Sequence, residues 1–67
     1  MPLQDSMTLF RRLGVDVARL SPREFSAAYV QLAKRYHPDS NNQPSHELMA
    51  HINAARWEIQ QTLYRKG

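Results

Sequence analysis

The stretch Ser21–Asp39, SPREFSAAYVQLAKRYHPD, decides the fold. Its first four residues form a helix start: the Ser21 hydroxyl can accept the orphan N–H of Glu24, and the Glu24 carboxylate can reach back to the Ser21 N–H, a capping box. Pro22 falls at the first helical position, where a missing N–H costs nothing, and Leu20 can staple onto Phe25 across the cap. Phe25, Ala28, Tyr29, Leu32, Ala33 and Tyr36 then recur at the three-and-four spacing of one helix face, with Arg23, Lys34 and Arg35 off that stripe. Pro38 disfavours the helical conformation in the residue before it and cannot donate to the ladder, so the helix must stop near Tyr36. Lys34 and Arg35 suit its C-terminal end, where the macrodipole is negative. The spacing predicts a helix over about 21–36.

Working outward, residues 37–44 read HPDSNNQP, a polar run without apolar anchors and hence an exposed loop. A third helix is expected over about 45–64, with the stripe Leu48 or Met49, Ile52, Ala55, Ile59 and Leu63. Glu47 near its start and Arg65 and Lys66 near its end would match the macrodipole. Upstream, Leu9, Phe10 and Leu13 run into Gly14, which can take the left-handed conformation that closes a helix. A short first helix is therefore expected over about 6–13, opening at Ser6 or Thr8. Val15–Leu20 sustains neither period and reads as a connector. The expected fold class is all-α: an antiparallel helical hairpin with a short first helix packed across its seam.

Length and composition narrow the rest. Sixty-seven residues make one domain, 1–67, and the 42% apolar share is that of a folded chain. Without cysteine there is no disulfide or thiolate zinc site, so helix packing must supply the stability. No apolar run approaches the roughly 20 residues of a bilayer span, and MPLQDSM lacks the basic start and apolar run of a signal peptide, so the cytoplasm is the expected compartment. A net charge of +3 favours an acidic partner surface without naming it.

The loop tripeptide His37-Pro38-Asp39 is the most informative polar feature. Proline restricts its own backbone and that of His37, so imidazole and carboxylate are displayed with less entropy to lose on docking. Asp39 is able to accept a bidentate arginine. The plainer alternative is a helix stop followed by an Asx turn. His37, His46 and His51 do not make a metal site by spacing, since five residues turn His46 and His51 to different helix faces and no cysteine completes a tetrahedral set. Glu24, Glu47 and Glu58 read as cap, helix-start and surface charges without a nucleophile or phosphate loop, so neither catalysis nor a cofactor is expected. Trp57 falls beside the third stripe, either at the edge of the seam or as an exposed contact.

Taken together, Leu13-Gly14-Val15, Ala28-Tyr29, Leu32-Ala33, Tyr36-His37-Pro38-Asp39 and Ile52-Asn53 with Ala55 resemble the J-domain of DnaJ-type co-chaperones, over about Thr8 to Leu63. The His-Pro-Asp tripeptide is that family's signature, and on the order of one chain in several hundred of this length would carry it by chance. The resemblance implies a chain that is no enzyme itself but docks on a DnaK-type heat-shock chaperone and accelerates its ATP hydrolysis, coupling this to client binding. It implies that His37, Pro38 and Asp39 form the stimulating loop, with Asp39 engaging an arginine near the partner's nucleotide-binding domain and interdomain linker. Lys34 and Arg35 would meet an acidic partner surface, with Arg23 more distant.

Several positions depart from the family pattern. Ser26, Ala27, Val30, Gln31 and Ser40 stand where basic residues are common, which thins the positive face. Arg12 and Arg56 replace residues usually apolar or aromatic, while Trp57 and Met49 can re-pack the seam. The family's short fourth helix has no room after Leu63, and a monomer is expected. Two other readings remain: a J-like interaction scaffold that stimulates no ATPase, and a small basic DNA-binding helical domain. The second is weakened because its cations are split among Arg11-Arg12, Lys34-Arg35 and Arg65-Lys66.

Overall fold

A computed structural model describes residues 1–37 and 43–65. The described chain is all-α: helix α1 spans Leu3–Arg12, a single 3₁₀ turn covers Val17–Arg19, α2 spans Pro22–Arg35 and α3 spans Gln43–Thr62. Among the described residues there is no strand.

The first helix begins three residues before the expected start at Ser6. Pro2, with φ −62° and ψ 152°, takes the cap position, and its carbonyl accepts from the Ser6 N–H at 2.9 Å. The fixed φ of proline preorganises this entry, so no capping hydroxyl is needed. Ser6 is instead fully buried inside the helix, its Oγ donating to the Pro2 carbonyl at 3.1 Å. The helix ends as its glycine requires. Gly14 has φ +90°, its N–H donates to Arg11 O at 2.9 Å, and the Val15 N–H donates to Phe10 O at 2.8 Å. These two bonds form a Schellman closure, which reverses the chain within two residues.

The connector does more than link helices. Its 3₁₀ turn carries Val17 into the core, fully enclosed, although the lack of a sustained period gave no sign of this. A three-residue turn has one inward position, too few for a period to register. The capping box that opens α2 is complete, with Glu24 N–H to Ser21 Oγ at 3.1 Å and Ser21 N–H to Glu24 Oε1 at 2.8 Å. The α2 stripe buries Phe25 and Leu32 and leaves Ala28, Tyr29, Ala33 and Tyr36 half-buried. On α3 the buried set is Met49, Ile52, Ala55 and Ile59.

Leu63, expected to extend the third stripe, is 41% exposed. The helix stops at Thr62, and the next turn swings Tyr64 inward in its place: Leu63 and Tyr64 N–H both donate to Ile59 O, at 2.8 and 3.2 Å. The Tyr64 ring lies 5.4 Å from that of Phe25, and its hydroxyl donates towards Leu20 O at 2.9 Å and Val17 O at 3.2 Å. The early stop also places Arg65 beyond the last turn of α3. No acidic residue sits in its first turn, so the expected macrodipole match through Glu47 and Arg65 is not made. Lys66 lies outside the described residues.

Helix α1 lies closest to α3, where backbones approach within 8 Å. Ser6 and Ala55, small and fully buried, suit such an approach. Between α2 and the segment formed by α3 and the turn after it, contacts run in opposite sequence order: Phe25 meets Tyr64, and Tyr29, four residues after Phe25, meets Asn53. Phe25 also meets Phe10 of α1 edge-on, with ring centroids 5.0 Å apart.

Burial raises the Tyr64 pKa above its ordinary value of 10.0, and the nearby Glu24 charge raises it further. The folded phenol thus holds its proton more tightly than the unfolded one. Its contribution is complete below pH about 10 and is lost as pH rises through the raised folded value. Replacing Tyr64 by Phe removes the hydroxyl bonds while keeping the ring. Tyr64→Phe is expected to cost about 1 kcal/mol in urea denaturation at neutral pH, and to flatten the decline in stability above the ordinary tyrosine pKa. An unchanged urea midpoint would show that the hydroxyl bonds contribute nothing net.

Candidate partner-docking site

The candidate site is built on the C-terminal end of α2. Tyr36 caps the helix, its N–H donating to Leu32 O at 2.9 Å, and His37 leaves it exposed. Lys34 and Arg35 occupy the last helical turn, both exposed, where their charges oppose the partial negative charge of the helix end. The Arg35 guanidinium lies over the Tyr36 ring, 5.7 Å from its centroid, at the outer range of a cation–π contact. Pro38 and Asp39, the other two members of the loop tripeptide, lie outside the described residues. The structure therefore brings Lys34, Arg35 and His37 to one end.

Arg23 belongs to the same side of α2 but not to the same end. Arg23, Ala27, Val30 and Lys34 follow one another at spacings of four, three and four, which aligns them along one face. All four are exposed. Eleven residues at 1.5 Å each separate the two cations by about 16 Å. Between them the face is uncharged: Val30 is 46% exposed, and Ser26 and Gln31 beside it are neutral. The surface is an apolar centre with one positive charge at each end, not a continuous basic stripe.

The α2–α3 seam next to this face holds a polar cluster that sequence reading missed. Tyr29 Oη donates to Asn53 Oδ1 at 2.6 Å, and the Arg56 guanidinium stacks over the Tyr29 ring at 4.5 Å. Arg56 Nε is buried there without a hydrogen-bond partner among the described residues. Although Tyr29 lies on the apolar stripe of α2, it is only half-buried, with its hydroxyl at the seam edge. The clue lay in Asn53 and Arg56, polar residues three apart flanking the buried stripe of α3.

Trp57 points outward, 62% exposed. His46 and His51 are exposed on α3, and among the described residues no group of three His, Asp or Glu could hold a metal ion. Nor is any described helix long and apolar enough to cross a membrane. No protein-family model, curated protein or solved structure matches the chain.

The orphaned Arg56 Nε decides a prediction. A buried donor without a partner costs about 1–3 kcal/mol, whereas a partly exposed cation–π contact returns about 0.5–1 kcal/mol. Arg56→Met keeps the packing volume against Tyr29 and removes the donor. It is expected to raise stability by about 1 kcal/mol, read as an increase in the urea midpoint at unchanged slope. A lowered midpoint would mean that the stacked guanidinium outweighs its unpaired nitrogen.

Proposed function

We propose that this chain is a co-chaperone domain of the J type, which binds a DnaK-type heat-shock chaperone and stimulates its ATP hydrolysis through His37, Pro38 and Asp39. The observation that carries this reading is the position of the tripeptide: it follows directly on an exposed, doubly positive helix end, Lys34-Arg35, in an all-helical chain. In this reading α2 and α3 form the arms of a J-like hairpin, whose contacts Phe25 to Tyr64 and Tyr29 to Asn53 run in antiparallel order.

The mechanism divides the labour between attraction and triggering. Lys34 and Arg35 draw the helix end towards an acidic patch on the chaperone, and exposed pairs of this kind each contribute about 0.2–1 kcal/mol. Docking of the end carries the loop to the chaperone's interdomain region, where Asp39 pairs with an arginine. Pro38 limits the loop's conformations, so less entropy is lost when the pair forms. The chemistry of hydrolysis stays in the chaperone. The partner would be met by a monomer in the cytoplasm, without nucleic acid or membrane.

A second reading, a J-like scaffold that binds protein without stimulating ATPase, is favoured by one observation: the uncharged centre of the α2 face, where Val30 is 46% exposed and Ala27 and Gln31 replace charge. Single-turnover ATP hydrolysis by a DnaK-type chaperone separates the two. Acceleration by the wild-type chain, abolished by Asp39→Asn, is expected. Lys34→Ala with Arg35→Ala should raise the half-maximal concentration by about tenfold while leaving the maximal rate, since two exposed pairs sum to about 1.4 kcal/mol. Full acceleration by the Asp39→Asn chain would refute the loop mechanism, and binding without acceleration would establish the scaffold.

A further inference from the structure

The end of α1 and the side of α2 enclose an open groove of about 450 Å³ lined by Leu13, Val15, Ala28, Gln31, Leu32 and Arg35. We propose that this groove docks a short extended peptide segment of a protein partner, with one bulky aliphatic side chain followed within three residues by a carboxylate. The assignment goes beyond the co-chaperone reading and does not depend on the loop tripeptide.

The floor and one wall are apolar and fixed. Leu32 is buried, and Leu13 and Val15 are half-buried on the turn that the Gly14 and Val15 N–H bonds hold rigid, at 2.9 and 2.8 Å. Ala28 contributes only a methyl group to the α2 side, so the space above Leu32 is left open for a side chain from outside. Burying a leucine-sized group there is the attractive part of the interaction. A nucleic-acid duplex, which meets proteins mainly through phosphate and sugar, offers no leucine-sized aliphatic group to fill such a floor.

The remaining lining residues set polarity. Ala28, Gln31 and Arg35 succeed each other at spacings of three and four on one face of α2. They span about 10 Å, the length of three extended residues. Gln31, exposed in the middle, offers both a donor and an acceptor to a passing peptide backbone. Among the described residues Arg35 is the one charged residue of the lining, and Lys34 adjoins it. Of the acids, Glu24 lies eleven residues before Arg35 on α2 with its carboxylate engaged by the Ser21 N–H, Asp16 follows Val15 at the other wall, and Asp39, four residues after Arg35, lies outside the described residues. A carboxylate beside Arg35 and an aliphatic group over Leu32 therefore satisfy both halves of the groove at once.

The test uses the full chain and a fluorescein-labelled peptide of sequence GLADEG, with GLAKKG and GGADEG as references. Saturable binding of GLADEG with a Kd of about 1 mM or tighter is expected, with amide shift changes gathered on Leu13, Val15, Ala28, Gln31, Leu32 and Arg35. Both reference peptides should bind about tenfold more weakly. Ala28→Phe fills the groove and Arg35→Glu reverses its charge; each should weaken GLADEG by about tenfold or more. Trp57→Ala, at an exposed position of α3 that belongs neither to the groove nor to the chaperone-docking end, should leave it unchanged. Arg35 is exposed, so its variant decides the matter even where Ala28→Phe fails to fold. Equal binding of GLAKKG, shifts confined to other residues, no saturation, or concentration-dependent shifts of the groove without peptide, marking a second copy as occupant, would each overturn it.

Discussion

Everything in this structure leans on the ring of Phe25. It is fully buried, met edge-on by Phe10 from α1 at 5.0 Å and by Tyr64 from beyond α3 at 5.4 Å. Tyr64 in turn sends its hydroxyl to the carbonyls of Leu20 and Val17 at 2.9 and 3.2 Å, tying in the 3₁₀ turn. Three helices and a connector are thus joined through one aromatic side chain. In a chain without disulfides, such a node carries a burden that larger domains spread over many residues. Phe10, Phe25, Ile52 and Ile59 supply the large, fully enclosed apolar volume around it.

How much of this could be read from sequence depends on how local the cause is. The α2 start was legible to the residue because Ser21, Pro22 and Glu24 act within four positions, and both capping-box bonds are present. Gly14 was legible for the same reason, since the closure it forms involves only its own turn. The start of α1 was not, because two residue types compete there: a serine that would cap a helix elsewhere, and a proline that reaches the cap position first. The inward swing of Tyr64 was also hidden. It depends on carbonyls more than forty residues upstream, and no periodicity within α3 distinguishes Leu63 from Tyr64 as the residue that closes the core.

The candidate site shows the same division. The charges at the end of α2 and the uncharged positions preceding them are properties of one helix, and a helical repeat assigns them to one face without further information. The groove beside Leu32 arises from two segments fifteen residues apart, and its depth follows from the small size of Ala28, a residue that looks like ordinary stripe. Likewise the stacking of Arg56 on Tyr29 joins residues on different helices. Arg56 was conspicuous as a charge near an apolar stripe, but its partner was not. The resulting α2 surface has two edges of different character: a charged end next to His37, and an apolar flank that faces the end of α1.

The chain contains a single tryptophan, and at position 57 it is 62% exposed. An indole already in water changes its surroundings little when the chain unfolds. Its emission will therefore be nearly blind to the folding transition, while the tyrosines at 29 and 64 change environment when the helices separate. The same exposure has the opposite consequence for association: any molecule that covers the outer face of α3 removes water from the ring. This small protein thus carries an optical label that is silent about its own stability and responsive to contact along one helix.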